Sequence, residues 1–502
     1  MRDLLTEPMS RAEDLGGPIP DSHHAVSVAL PLWQHVIGYE EQEPAVVDKM
    51  QCGYPRFFLH PDVVKLNALA DERLAGEGET CVVFPSAAAA DRCVAYVSER
   101  FDVESRVQVM EWQQLTAVIL PVDKKNAALK FWRFGGEIVS SRMALAALNA
   151  LAGGKDLGES LPDEGEAAKV KLRQRLAELS GQDVADVFLF SCGMAAIFAV
   201  QRVASRRCAG LKSAQLEFPY VDALKVQEEF GPGVHEYLGG KSDPVEDLKQ
   251  RLQNESLSAV YTEVPSNPLL RTVDLATLSQ VTRQHGLPLI VDDTVGTVVN
   301  VDAFAFADVV TTSLTKYFSG VGDVMGGAVI VNHRSPFADY LREGLLRESG
   351  DDLWLEDAVV LEKNSRDFVE RMQRINRTAE VVVDFLKNHP KVEQVWYPRD
   401  HFRREYDALR REEGGFGGML SVSLKDAEAA APLFYDALAI SKGPSLGANY
   451  SLACPYTLLA HYDELDWAVS WGVKRDLIRI SVGLEDAEDL IKRLEIAFAA
   501  VS

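Results

Sequence analysis

Three short stretches of the chain end an apolar run in side chains able to do chemistry. In ADVVTTSLTKYFSG, Ser313 and Thr315 flank a single amine, Lys316, and Gly320, Gly322, Gly326 and Gly327 follow. Lysine is among the residues least often buried. An amine at a strand end is therefore either half of an ion pair or an amine of lowered pKa held for a Schiff base. In LPLIVDDTVG, Asp292 continues a buried run, and a desolvated carboxylate needs a cationic or donating partner. In DVFLFSCGMAAIFAV, a strand turns through Cys192, Gly193 and Met194 straight into a helix. The first free N–H groups of such a helix form an anion site, which glycine lets a ligand approach closely. Singly, each has an ordinary reading: a Lys316–Asp292 ion pair, a helix cap, a turn that binds nothing. Together they offer an amine for an aldehyde, a cradle for a phosphate and a carboxylate for a pyridine nitrogen. Those are the needs of pyridoxal 5'-phosphate.

The elements that must position these groups read as an α/β domain. From 186 to 332, VADVFLF, SAQLEFP, SAVYTEVP, LPLIVDD, ADVVTTS and GGAVIVN are short apolar runs, several of them separated by helical stretches such as PVEDLKQRLQNE and DLATLSQVTRQHG. Such alternation predicts a large, mostly parallel sheet covered on both faces, with its site at the carboxyl ends of the strands. From about 365, a long helical stretch, short strands (VEQVWYP, GGMLSVSL, LIRISVG) and a last helix predict a smaller α+β C-terminal domain. The expected organisation is an N-terminal extension over 1–130, an arm or interface segment over 131–185, a large cofactor-binding domain over 186–364 and a small domain over 365–502. Residues 1–22 read as a mobile tail. The stretch 155–168, KDLGESLPDEGEAA, reads as an exposed loop.

Composition narrows the partners. The 502 residues carry 52 Lys and Arg against 75 Asp and Glu, a formal charge of −23, which disfavours nucleic acid and anionic membrane surfaces alike. No apolar run is long enough to span a bilayer. The N-terminus has the pattern of neither a secretory signal nor a transit peptide. Six scattered cysteines without a CxxC fit reduced thiols and a cytoplasmic setting. His23 and His24 read as a solvated pair rather than a metal site.

The region from about 186 to 500 resembles the pyridoxal-phosphate enzymes of cysteine and methionine metabolism. Within them it is most similar to the cystathionine γ-synthases, in particular the long fungal form. The motifs are CGMAAI (192–197), EVPSNPLLRTVDL (263–275), VDDT (291–294), SLTKYFSG (313–320), GGFGGMLS (414–421), SKGPSLGANYSLACPY (441–456) and LIRISVGLEDAEDLI (477–491). The resemblance implies the fold type I, aspartate-aminotransferase-like architecture and a homodimer or homotetramer. It implies that Lys316 holds the cofactor as a Schiff base and shuttles protons, and that Asp292 pairs with the pyridine nitrogen. The phosphate falls to the main chain at Cys192, Gly193 and Met194, helped by Ser313 and Thr315. Tyr220 stacks on the ring, Asn267 lies near its hydroxyl, and Arg479, with Ser445 beside it, clamps the substrate carboxylate as a bidentate fork. Family members also insert a Tyr-x-Arg segment into the neighbouring subunit's phosphate site. Here Arg133, without a companion Tyr, and the pair Tyr54 and Arg56 of GYPRFF (53–58) are rival assignments.

The reaction so implied is γ-replacement on an O-acyl-L-homoserine through a vinylglycine ketimine, with the thiol of cysteine as nucleophile. A carbon nucleophile such as a β-keto acid is the alternative, and Pro444 and the GANYS stretch leave the nucleophile the open point. A catalytically silent binding subunit is the reading from another class, opposed by the presence of Lys316, Asp292, Tyr220 and Arg479. A nicotinamide dehydrogenase is a third option, opposed by the lack of a GxGxxG following a strand.

Overall fold

The computed structural model describes residues 2–102, 105–110, 115–153, 161–237, 243–348 and 352–501. The six apolar runs between 186 and 332 become six strands of one seven-stranded sheet, and Val234–Tyr237, which the runs did not include, is the seventh. Across it they lie in the order Val187–Phe190, Gly327–Val331, Val309–Ser313, Leu289–Asp292, Val260–Glu263, Ser213–Leu216, Val234–Tyr237. Gly327–Val331 runs antiparallel to both neighbours, and the other six strands are parallel. Parallel strands need crossovers, and helices such as Gly193–Arg207 and Leu275–Gln284 supply them, so the central strands are buried on both faces. The register sets Asp292 opposite Glu263 on one side and Thr311 on the other. One carboxyl-end edge of the sheet therefore carries Glu263, Asp292 and Ser313.

The C-terminal region is a five-stranded sheet in the order Val392–Trp396, Met419–Leu424, Ile478–Ser481, Leu452–Pro455, Ser441–Lys442. All its pairings are antiparallel except the last. Helices Phe368–Asn388 and Ala487–Ala499 pack beside it. The chain is thus α/β with a smaller α+β domain, as expected. No helix of the described residues is long and apolar enough to cross a membrane.

The N-terminal region forms a three-stranded antiparallel sheet with Thr116–Pro121 in the middle, between Glu79–Phe84 and Arg106–Val109. It does not stand apart. Its buried Val82, Phe84 and Val118 belong to the same apolar cluster as Ala196, Phe198 and Val200 of helix Gly193–Arg207.

Two sequence expectations fail here, and a third holds only in part. Residues 2–22 are not a free tail. Leu4, Met9 and Ile19 pack against Ala448, Tyr450 and Leu452, and Pro18–Ile19 pairs with Ser27–Val28. The buried Lys442 ammonium donates to the carbonyls of Ser10, Pro31 and Asp436. Polar, Gly- and Pro-rich composition hid a few apolar anchors spaced too widely to show a period. Of the expected loop at 155–168, residues 155–160 lie outside the described residues and 161–168 begin helix Leu161–Ser180. Pro162 is tolerated in a first helical turn, and Asp163 and Glu164 complement the helix dipole there. Gly165 lets the helix close on Leu355, since a Cβ would sit 2.5 Å from that residue's Cβ. Finally, His23 Nε2 lies 2.5 Å from Asp62 Oδ2, and His24 Nδ1 2.9 Å from Ser141 Oγ. The pair is thus tied to helix ends, although His23 itself stays exposed to solvent, as expected.

Candidate active site

Strand Val309–Ser313 runs into a tight turn, Leu314–Phe318, whose backbone leaves helical geometry at Lys316 (φ −85°, ψ −130°). Its Nζ donates to Ser445 Oγ at 3.1 Å and stands 4.5 Å from the centroid of the Tyr54 ring. Burial, helped by the Arg479 and Arg56 charges, pulls the amine down to about 7. Both charges acting on it are cations, so the structural ion pair with Asp292 is not formed. A buried amine that is easily neutral is the form that attacks an aldehyde.

Asp292 ends its strand with both oxygens held. Oδ1 accepts the Thr294 N–H at 2.9 Å and Oδ2 the Thr311 hydroxyl at 3.0 Å. Burial raises its pKa, and no cation offsets that among the described residues. A protonated heterocycle nitrogen would supply the missing countercharge. Glu263, on the neighbouring strand, is pushed to about 8 by burial and by Asp292. Its Oε1 accepts the Tyr220 N–H at 2.6 Å.

The anion cradle lies where Val187–Phe190 meets helix Gly193–Arg207. A Cβ on Gly193 would stand 2.9 Å from Ser313 Cβ, and one on Gly327 2.2 Å from the Cys192 carbonyl oxygen. Both glycines are there for close approach. Ser313 Oγ and Arg56 Nε are buried without a hydrogen-bond partner. Both residues line the cavity, so two orphaned donors and a helix N-terminus converge as a phosphate requires. The Cys192 thiol turns away to the Gly136 carbonyl at 3.2 Å, leaving that residue only its main chain to offer. Thr315 departs from expectation. Its hydroxyl donates to the Gly326 carbonyl at 3.3 Å and accepts the Gly326 N–H at 3.1 Å, so it braces the glycine turn instead of facing the cavity.

The rival arginines separate clearly. Arg56 is buried, with Nη1 on Asp222 Oδ2 and the Arg133 carbonyl, both at 2.6 Å, and Nη2 on the Tyr220 hydroxyl at 2.5 Å. Its charge acts on both Lys316 and Cys192. The Arg133 side chain is 41% exposed, lies over the Phe57 ring at 4.4 Å, and reaches Asp222 Oδ1 only at 3.5 Å. Within this chain Tyr54 and Arg56 thus stand beside the cradle, and Arg133 is the more exposed of the two arginines. Asp222, fully buried, ties Arg56 and Tyr220 together.

Arg479, on strand Ile478–Ser481, is a buried guanidinium with no carboxylate partner among the described residues. Its Nη2 donates to the carbonyls of Pro444 and Ser445 at 2.9 and 3.1 Å, and Nη1 is 3.5 Å from Asn267 Oδ1. Asn267 in turn donates to the Tyr456 hydroxyl at 3.3 Å, and the guanidinium lies 5.1 Å from that ring. A buried, unpaired cation is costly and calls for a bound anion.

These groups share one cavity of about 460 Å³. Lys316, Asp292, Gly193, Met194, Ser313, Tyr220, Asn267 and Arg479 all line it. Sequence reasoning did not single out Asp222, Glu263, Thr311 or Tyr456. Asp222, two places after Tyr220 in FPYVDA, Glu263, at the end of an apolar run, and Tyr456, inside a quoted motif, each left a signal; Thr311 left none.

Comparison with known proteins follows the same lines. Residues 164–499 match the family described as Cys/Met metabolism PLP-dependent enzyme, and 62–140 match the fungal trans-sulfuration enzyme N-terminal domain. The chain is 35% identical to a cystathionine γ-synthase of Neurospora crassa, over 95% of this chain and 97% of that one. It is 33% identical to an L-2-amino-4-chloropent-4-enoate dechlorinase/desaturase of Streptantibioticus cattleyicolor, over 96% and 97%. The crystal structure of cystathionine γ-synthase from Xanthomonas oryzae pv. oryzae in complex with aminoacrylate and cysteine superposes with a TM-score of 0.59. That match is 26% identical and covers 66% of this chain and 86% of the other.

Proposed function

Since this chain belongs to the Cys/Met metabolism PLP-dependent enzyme family, we propose that it catalyses γ-replacement on an O-acyl-L-homoserine. The acyl group leaves Cγ as a carboxylate and the thiol of cysteine adds at that carbon, giving cystathionine. The observation that carries this reading is the pairing, in one cavity, of an amine lowered to about 7 with a buried guanidinium that has no carboxylate partner. Pyridoxal 5'-phosphate, when bound, supplies the electron sink.

The chain's own residues do the rest. Lys316 holds the cofactor and, with an amine that titrates near neutrality, takes and returns protons at Cα and Cβ. Asp292, its oxygens fixed by Thr294 and Thr311, keeps the ring nitrogen protonated. Ser313, Gly193, Met194 and Arg56 receive the phosphate, and Arg479 receives the substrate carboxylate as a planar fork. Tyr220, buttressed by Arg56 and Asp222, presents its ring to the cavity. A dimer or tetramer in the cytoplasm is the setting we assign. The absence of disulfides among six cysteines supports the compartment.

Product analysis with O-acetyl-L-homoserine tests the reading. Cystathionine is expected with cysteine. No product with cysteine removes the C–S reading, and a product with acetoacetate in its place transfers the assignment to carbon–carbon bond formation.

A further inference from the structure

One wall of the cavity comes from the N-terminal segment: Tyr39, Glu40, Gln42, Tyr54, Arg56 and Phe57. Helix Trp33–Glu40 is pinned to the C-terminal domain by the Trp33 N–H on Asp436 Oδ1 (2.6 Å) and the Lys442 ammonium on the Pro31 carbonyl (2.9 Å). It therefore delivers its last residue, Glu40, to the cavity wall.

Among the carboxylates lining the cavity, Glu40 stands out. Asp292 is held by Thr294 and Thr311, Glu263 by the Tyr220 N–H, and Glu464 by His461 and Lys225. Asp463 is exposed to solvent. Glu40 is half-buried and has no hydrogen bond or ion pair within the described residues. Burial raises it to about 7, and the one cation that opposes this is Arg133. Glu40 also closes its helix, and the negative end of a helix dipole favours a cation. Arg133 lines the same cavity with Nε unpartnered. The cavity thus holds one carboxyl group without a partner among the described residues and one guanidinium engaged only at Nη2, 3.5 Å from Asp222 Oδ1.

We propose that Glu40 and Arg133 form the docking subsite for the second substrate, holding the ammonium and the carboxylate of an incoming α-amino acid. The proposal rests on the γ-replacement reading above and deepens it. The first substrate spends its amine on the cofactor and its carboxylate on Arg479. Only the nucleophile arrives as a free zwitterion, so only it can use a carboxylate and a guanidinium together. A β-keto acid has no ammonium for Glu40, so the subsite favours an amino-acid thiol over a carbon nucleophile.

Three thiols separate the two ends of the subsite: cysteine, 3-mercaptopropionate (no ammonium) and cysteamine (no carboxylate), each assayed with O-acetyl-L-homoserine. In Glu40→Gln, kcat/KM for cysteine relative to 3-mercaptopropionate should fall about ten-fold or more, the scale of one charge-assisted hydrogen bond. In Arg133→Gln, the ratio of cysteine to cysteamine should fall similarly. This second variant stands in if the first does not fold. If the wild type turns over these thiols and both ratios stay unmoved, the subsite is wrong and the γ-replacement reading survives. If the wild type forms no product with any of the three, both fall.

Discussion

The Lys316 ammonium nitrogen lies 4.5 Å from the centroid of the Tyr54 ring. An aromatic face so close to a buried amine attracts its cationic form, yet burial and two guanidinium charges win and hold the amine near neutrality. The N-terminal segment thus touches the reactive group itself.

The titration of Lys316 follows directly. An exposed lysine keeps its proton to near 10.4; here burial lowers the affinity, so the amine is mostly protonated and inert below about pH 7 and free above it. In cofactor-stripped enzyme, the rate of condensation with pyridoxal 5'-phosphate should climb through about pH 7 and then level off. A rate still rising toward the ordinary lysine range near 10.4 contradicts the burial argument. Lys316→Ala should lose the visible absorbance of the bound cofactor and at least about 10³-fold in kcat.

Arg479 separates binding from stability. Arg479→Lys keeps a positive charge but loses the planar fork, so KM for the O-acyl-homoserine should rise about 10- to 100-fold. The buried guanidinium has only neutral partners, so the thermal midpoint should move little. Steady-state kinetics beside a melting curve check both halves. A drop in stability with unchanged KM would make Arg479 a structural residue.

Asp222 is the opposite case. It is fully buried and neutralises Arg56 at 2.6 Å. Asp222→Ala leaves that guanidinium uncompensated, which costs about 3–5 kcal/mol. Urea denaturation should show the loss, and cofactor affinity should weaken with it.

Because Tyr54 and Arg56 enter the cavity of their own chain, subunits should not rescue one another. Arg56→Ala and Lys316→Ala chains, co-expressed with different tags and purified as mixed oligomers, should stay inactive. Recovery of about half of the activity, one working site in every two, would put Arg56 in a neighbouring subunit's site.

Much of the site was legible because a parallel sheet exports its chemistry to strand ends. Asp292, Ser313 and Lys316 follow apolar runs in sequence, and Gly193 follows one into a helix. The fold class came from the same runs. The roles of the residues that buttress them were not legible. Glu263 matters through its register beside Asp292, and Asp222 through contacts with Arg56 far away in sequence, which no local pattern encodes. Choosing Arg56 over Arg133 needed burial, a tertiary property. Residues 2–22 and 161–168 were misread for a related reason. Their polar composition is real, but a few anchors such as Ile19 and a close-packed Gly165 decide where they go.

The grip of Lys442 on the carbonyls of Ser10 and Pro31 has a consequence for biosynthesis. A ribosome releases residues 10 and 31 long before it has made the lysine that fastens them. Until position 442 has emerged, the wall bearing Glu40 lacks that fastening to the C-terminal sheet. A nascent chain therefore presents an unfinished vestibule until the C-terminal sheet has been made.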